Sequence, residues 1–235
     1  MKTVSFDVWS TLLNIEEFYR KIAAALSEIS AQRREEIFTN IKNAYVAVKN
    51  ARRKGLIQEE DVIASSTKIF LEAIGGFSRY ELYWSVARAV NLVEPEKLLL
   101  PGAMEVLETL HAQGYMLAVT SNVIFWPGYV TRVLLDKAGL GKYFKVQVYA
   151  DEVKSLKPNA KPFQEMLKAV GSEPRECAHV GDSPQEDLAG ALNAGLAAVL
   201  VDWGRQKLTI DDRLRIAVVG SLKEVPQVIE QLLKF

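Results

Sequence analysis

A single cysteine, Cys177, stands in 235 residues. No internal disulfide can form, so the fold does not rely on one. Two histidines, His111 and His179, and that one thiol are too few for a zinc site. No apolar run approaches the roughly 18 residues that cross a bilayer. The opening stretch "MKTVSFDVW" lacks the apolar core of a signal peptide. Neither sign of charge predominates, with 29 Lys+Arg against 29 Asp+Glu. That balance removes the electrostatic argument for nucleic acid or an anionic membrane as partner. Repeats and low-complexity tracts are missing too. The expectation is a soluble, cytoplasmic protein with neither a nucleic-acid nor a membrane partner.

What is present is apolar and patterned. Hydrophobic residues make up 49% of the chain and charged ones 25%, enough for a sizeable core. Five short apolar runs read as buried strands: 3–9 "TVSFDVW", 115–121 "YMLAVTS", 145–150 "KVQVYA", 177–181 "CAHVG" and 197–201 "AAVLV". Helical patterns separate the later ones and stop on glycine: 103–114, 162–171 and 185–195 end at Gly114, Gly171 and Gly195. Strand–helix–strand alternation implies right-handed crossovers and an α/β fold, a doubly wound, mainly parallel sheet. Residues 15–97 differ, because their apolar spacing of three and four predicts about four amphipathic helices. The division expected is a core of 1–14 plus 98–235, with an inserted helical cap at 15–97.

In such sheets ligands bind beyond the carboxyl ends of the strands. Those ends carry Asp7, then Thr120-Ser121-Asn122, then Lys157-Pro158, then "GDSPQED" with Asp182 and Asp187. Together they suit phosphoryl transfer. A carboxylate can attack phosphorus and divide one hard step into two. Its repulsion from a phosphate dianion calls for Mg²⁺, which Asp7 and Asp182 would hold through oxygen. Lys157 would neutralise charge, and Ser121 with backbone N–H groups near Asn122 would bind the phosphoryl oxygens.

These four segments, in this order, resemble the motifs of the haloacid dehalogenase-like superfamily: "FDVWST", "LAVTSN", "LKP" and "GDSPQED". Each is common alone; four in order at strand ends are specific. The resemblance implies a Rossmann-like core, a helical cap, a Mg²⁺-dependent phosphatase and a small phosphorylated substrate. It implies Asp7 and Lys157 as catalytic residues. Ser121, Asn122 and Lys157 would bind phosphate. The metal would be held by Asp7, Asp182 and the Trp9 backbone carbonyl, with Asp187 in support. The chain departs from the family where Trp9 replaces a second aspartate that serves as acid and base, and where Ser10 replaces a glycine. An indole supplies neither acid nor base at neutral pH. The alternatives are therefore a 2-haloacid dehalogenase, a phosphonate hydrolase using a cap lysine among Lys21, Lys42, Lys49 and Lys54, or a non-catalytic binding protein.

Plainer readings stand beside these. Ser121 would cap a helix, Lys154 or Lys161 would take the place of Lys157, and Asp187 would serve a helix dipole. His179 reads as a satisfied core histidine and His111 as surface. "AQRREE" and "KNARRKG" read as solvated helix faces and ends. Tyr80, Tyr83 and Trp84, at helical spacing, read as core. Trp126 either borders the site or packs beneath the cap. Oligomeric state is not legible.

Overall fold

The computed structural model describes residues 1–234. Its centre is a seven-stranded sheet in the order β3-β2-β1-β4-β5-β7-β6. The strands are β1 (Thr3–Phe6), β2 (Met116–Ser121), β3 (Phe144–Tyr149), β4 (Cys177–Gly181), β5 (Ala197–Val201), β6 (Thr209–Asp211) and β7 (Ile216–Val219). All neighbours are parallel except β6 and β7. The first five strands fall where the apolar runs predict them. The last two were not predicted: β6 is only three residues long and largely exposed, and β7 is a short apolar run, IAVV, not counted among the five. β1 lies between β2 and β4, with Phe6 opposite both Val119 and Val180. The chain builds outward on one side of β1 and then crosses to the other. This is the switch point at which a parallel sheet opens a crevice.

Between β1 and β2 the chain is helical: α1 (Ile15–Glu28), α2 (Arg34–Arg53), α3 (Val62–Ile74), α4 (Arg79–Leu92) and a single turn, α5 (Pro95–Leu98). Asn14 starts α1, its side chain accepting from the N–H groups of Glu16 and Glu17 at 3.1 and 3.3 Å. α2 has Glu35 and Glu36 in its first turn and Arg52 and Arg53 in its last, which suits the helix dipole at both ends. α1 packs on α2 and α4, and α2 on α3. Beyond this module come α6 (Ala103–Ala112), α7 (Gly128–Lys137), α8 (Ala150–Val153), α9 (Ala160–Val170), α10 (Gly190–Asn193) and α11 (Val225–Leu232). The segment before α10, Pro184–Ala189, is a π-helical turn. Among the described residues no helix is long and apolar enough to cross a membrane.

An aromatic cluster joins the helical module to the sheet. The Trp9 indole stacks on Phe18 of α1 at 5.5 Å and meets the edge of Trp126 at 5.3 Å. Phe18, Tyr19 and Phe125 also contact the Trp126 ring, and Phe125 packs on Phe70 of α3. Trp126 is therefore packed between module and core. Both indole N–H groups donate to one acceptor, Thr131 Oγ1 of α7, at 3.2 Å from Trp9 and 3.3 Å from Trp126. The reading of Tyr80, Tyr83 and Trp84 as core is corrected: they are 86%, 36% and 42% exposed. Leu82, Ser85, Val86 and Ala89 form the buried stripe of α4 instead, and Tyr83 flanks it with its hydroxyl 3.1 Å from Thr67 Oγ1 of α3.

Thr131 offers a direct test of this junction. Thr131→Val keeps the shape but strands two buried indole N–H groups, each costing about 1–3 kcal/mol. Urea unfolding should show a fall in stability of that order with an unchanged m-value. A variant as stable as the parent would mean that the shared acceptor contributes nothing.

Candidate active site

The crevice at the β1 switch point gathers the residues from the strand ends. Asp7 follows β1 directly, its N–H donating to Val180 O at 2.8 Å, which ties the residue to β4. Only 8% of Asp7 is exposed. Its Oδ1 accepts from Ser121 Oγ at 2.9 Å and from Lys157 Nζ at 2.8 Å. Lys157 is buried and donates twice more, to Thr120 O at 2.7 Å and Asp187 Oδ1 at 2.6 Å. All three ammonium protons are thus placed. Lys157 lies in the turn between α8 and α9 and is followed by a cis bond to Pro158. Its backbone is held by Asn122, whose Oδ1 accepts the Lys157 N–H at 2.8 Å and whose Nδ2 donates to Lys157 O at 3.1 Å.

These contacts decide between the paired readings. Lys154 lies at the surface against Glu60, so Lys157 alone reaches Asp7. Ser121 faces Asp7, and the next helix begins only at Gly128. Asp187 orients other groups: its Oδ1 accepts from Lys157 and lies 3.1 Å from His179 Nε2, and its Oδ2 accepts the Ser183 N–H at 2.9 Å. His179 is buried and satisfied, with Nδ1 3.1 Å from Ser5 Oγ. It is more than core filler, however, because it fixes the carboxylate that fixes Lys157. His111 is on the surface.

Trp9 lines the crevice beside the acids, and its indole packs into the aromatic cluster. Its carbonyl accepts no backbone hydrogen bond among the described residues. The following Ser10 has φ +65°, a left-handed conformation that glycine adopts without strain. That is the physical sense of a glycine at this position. Ser10 O accepts instead from the Trp203 indole at 2.8 Å, which pins the turn.

The electrostatics are those of crowded acids. Asp7, Asp182 and Asp187 each present a carboxylate oxygen, all within 4.8 Å of one another. Burial pushes the Asp7 carboxyl up to about 6, although Lys157 opposes it. Burial, then repulsion from Asp7 and Asp187, pushes Asp182 up to about 7. Asp187 would also rise on burial, but Lys157 and His179 outweigh that and hold it well below its ordinary range. Lys157 would fall on burial, but Asp187 and Asp7 hold it well above its usual value. Burial and the neighbouring Lys157 drive His179 down to about 4, so the ring is neutral near pH 7. Hard oxygen donors carrying more negative charge than their surroundings neutralise are the set that a small divalent cation satisfies.

The helical module closes the crevice. Tyr45, Lys49 and Arg52 of α2 line it together with Asp7, Trp9, Asn122, Asp182 and Glu186. Arg52 Nη1 meets both oxygens of Glu186 at 3.1 Å, and Nη2 donates to Val123 O at 2.6 Å. Glu186 also accepts from Asn122 Nδ2 at 2.8 Å. The reading of "KNARRKG" as solvated is therefore corrected at Lys49 and Arg52. The signal was available: positions 45, 49 and 52 share one helical face. That face also carries the apolar Ile41 and Val48 nearby, which a composition-based reading of the segment overlooks.

With the geometry in place, relatives can be compared. A family profile described as haloacid dehalogenase-like hydrolase matches residues 1–195. The chain belongs to the haloacid dehalogenase-like hydrolases. It is 34% identical over 156 residues to a probable phosphatase, IndB, of Dickeya dadantii, covering 65% of each chain. It is 27% identical over 212 residues to a phosphoglycolate phosphatase of Haemophilus influenzae, covering 86% of each. The chain spans 65%, 57% and 58% of the length of three curated relatives. Among solved structures, a HAD phosphatase from Thermococcus onnurineus aligns with TM-score 0.66 at 25% identity, covering 97% of this chain and 98% of that one. An L-2-haloacid dehalogenase from Xanthobacter autotrophicus aligns at 0.70 and 18%, covering 98% of each, a likeness of fold.

The raised acids set the pH response of the metal-free protein. A carboxyl whose folded value lies above its unfolded one adds stability that is complete below the unfolded value and lost as pH rises through the folded value. For Asp7 and Asp182 that loss runs through about 6 and about 7. His179, depressed to about 4, acts oppositely: its contribution is present above 6.5 and lost as pH falls. Between about pH 4 and about pH 6 two raised carboxyls outweigh one imidazole, and above 6.5 only Asp182 still loses, so stability in a chelator should decline from about pH 4 to about pH 7. Urea midpoints across that window check it, and Asp182→Asn should flatten the slope. A midpoint that holds or rises in the parent would contradict the raised acids.

Proposed function

We propose that this chain is a Mg²⁺-dependent phosphatase that hydrolyses a small phosphorylated compound through an aspartyl-phosphate on Asp7. The observation that carries the reading is the buried Lys157 ammonium, shared between Asp7 and Asp187 beside the still-underneutralised Asp182. A structural ion pair needs one carboxylate. A third acid held among these groups, with its own carboxyl pushed up, suits a cation and a dianionic substrate. The names of the relatives, several of them phosphatases, support the same substrate class.

The metal would be held by Asp7, Asp182 and the unengaged Trp9 carbonyl, with Asp187 in support through Lys157. When bound it would screen the phosphoryl charge from Asp7 and polarise the phosphorus. Asp7, fixed at Oδ1 by Ser121 and Lys157, attacks phosphorus as the bond to the leaving oxygen breaks. Lys157 and Ser121 neutralise and bind the phosphoryl oxygens, and the N–H groups near Asn122 add to them. Water then attacks the aspartyl-phosphate, releasing phosphate and restoring the carboxylate. Residues 15–97 serve as a cap over residues 1–14 and 98–235, excluding water during the first step. A dehalogenase is disfavoured, because Asp182 beside Asp7 would oppose a departing halide.

Trp9 leaves both half-reactions without the usual carboxylic acid, and such help is commonly worth about 10²–10⁴ in rate. Good leaving groups depend on it least. Rapid-quench kinetics with an aryl phosphate should therefore give a Mg²⁺-dependent burst near one equivalent of enzyme and then slow turnover. Asp7→Asn should abolish burst and turnover alike. Product release that ignores Mg²⁺, or activity retained by Asp7→Asn, would sink the assignment.

A further inference from the structure

The solvent face of α4 is built as an inner face would be. Positions 80, 83, 84, 87 and 91 share one side of the helix. All five are exposed, and Tyr80, Tyr83, Trp84, Ala87 and Asn91 carry no charge. The side turned into the module has the smaller Leu82, Ser85, Val86 and Ala89. A helix that is apolar on both sides is one covered on both sides. Charge is kept to the margin, where Arg88 pairs with Glu28 at 3.4 Å.

α7 of the core continues this face. Tyr129 and Val133, one turn apart, are 61% and 47% exposed. Between α7 and α4 lies a hollow of about 380 Å³. Buried Val86, Trp126 and Val130 line its inside, and exposed Tyr83, Ala87 and Tyr129 its mouth. The bare fractions of the four rings together exceed two whole rings, roughly 300–550 Å² at the area an aromatic side chain buries. Ala87, Val133 and the walls of the hollow carry the face toward the roughly 800 Å² that each partner of a stable interface supplies. A contiguous apolar patch of that size marks an interaction surface.

We propose that this face receives a second copy of the chain about a twofold axis, as an isologous dimer. Charge selects that occupant first. Basic and acidic residues balance at 29 each, so two copies meet without net repulsion. The face itself offers a nucleic acid or an anionic surface nothing to pair with, but matches another uncharged face. Shape selects it next. A twofold interface must hold projection and recess on one surface, and here Tyr80 and Trp84 project beside the hollow. An axis across α4 sets the two helices antiparallel. The Tyr80–Trp84 turn of one copy then lies over the small Ala87 at the mouth of the other's hollow, and the reverse. Tyr and Trp seated in a pocket are the side chains that carry most of an interface's affinity. Because α4 belongs to the helical module and α7 to the core, each copy grips both parts of the other. The dimer does not depend on the phosphatase reading above.

Sedimentation equilibrium of the full chain tests it, from about 1 to about 100 μM, where an interface of micromolar Kd dissociates. The parent should approach twice 26.2 kDa. Trp84→Lys acts once in each copy and should raise the dimer Kd at least about 30-fold. Ala87→Arg, which blocks the receiving side while leaving the projecting rings intact, should do the same. Both positions are exposed, so unchanged urea midpoints of dilute samples would show that folding is untouched. Leu214→Ser removes an equally bare apolar side chain from the β6–β7 turn and should leave the dimer as it was. A parent monomeric throughout would overturn the proposal and leave the face to another occupant. A dimer that survives both α4 substitutions would overturn it too, because the copies would then meet elsewhere. Species that grow beyond two copies would overturn the twofold arrangement, which closes at a pair.

Discussion

A fully buried ammonium is the constraint around which this site is arranged. Removed from water, Lys157 keeps its charge only because Asp7 and Asp187 stand within 2.8 and 2.6 Å. Each partner is in turn held elsewhere. Asp187 is fixed by the Ser183 N–H and by His179, and Asp7 by Ser121 and its own N–H to β4. Removing one carboxylate would leave a charge that the interior cannot solvate. The elements meeting at Lys157 are therefore positioned together or not at all: the ends of β1, β2 and β4 and the turn after α8.

The helical module depends on the same point through a different contact. Arg52 reaches from α2 to Glu186, which touches Asn122, which holds the Lys157 backbone. The module is thus joined to Lys157 by three consecutive polar contacts, and to the sheet by the aromatic cluster around Trp126. Trp9 belongs to both connections. It lines the crevice beside the acids while its indole is consumed by Phe18, Trp126 and Thr131. A residue that looks in sequence like a lost catalytic acid is, in the fold, a rivet between the two parts. Packing and acid–base chemistry compete for one position, and here packing holds it.

Much of this was readable in the chain. The strands carrying the site are apolar runs buried on both faces, so β1, β2, β4 and β5 stand out from any polar background. Glycines mark the helix ends, and the motif order fixes which strand ends converge. β6 was not readable, because a three-residue exposed edge has too little pattern to distinguish it from a loop, whereas β7 is a short apolar run, IAVV, that the reading of the chain passed over. Tyr80, Tyr83 and Trp84 misled for a related reason. Helical spacing identifies a face but not which face is inside, and α4 buries smaller residues.

What the sequence by itself determined is the class of fold, the family and the set of groups available to the chemistry. These follow from local periodicity and from residue types that few other sites assemble. What only the tertiary structure decided is how each group is used. Lys49 and Arg52 read as solvated charge until α2 is laid over the crevice, and His179 reads as core until it is seen against Asp187. Asp187 itself reads equally well as a helix-dipole residue or a metal partner until Lys157 is found beside it. The reason is that the role of a charged side chain depends on what lies within a few ångströms of it, and those neighbours are 8 to 150 residues away along the chain.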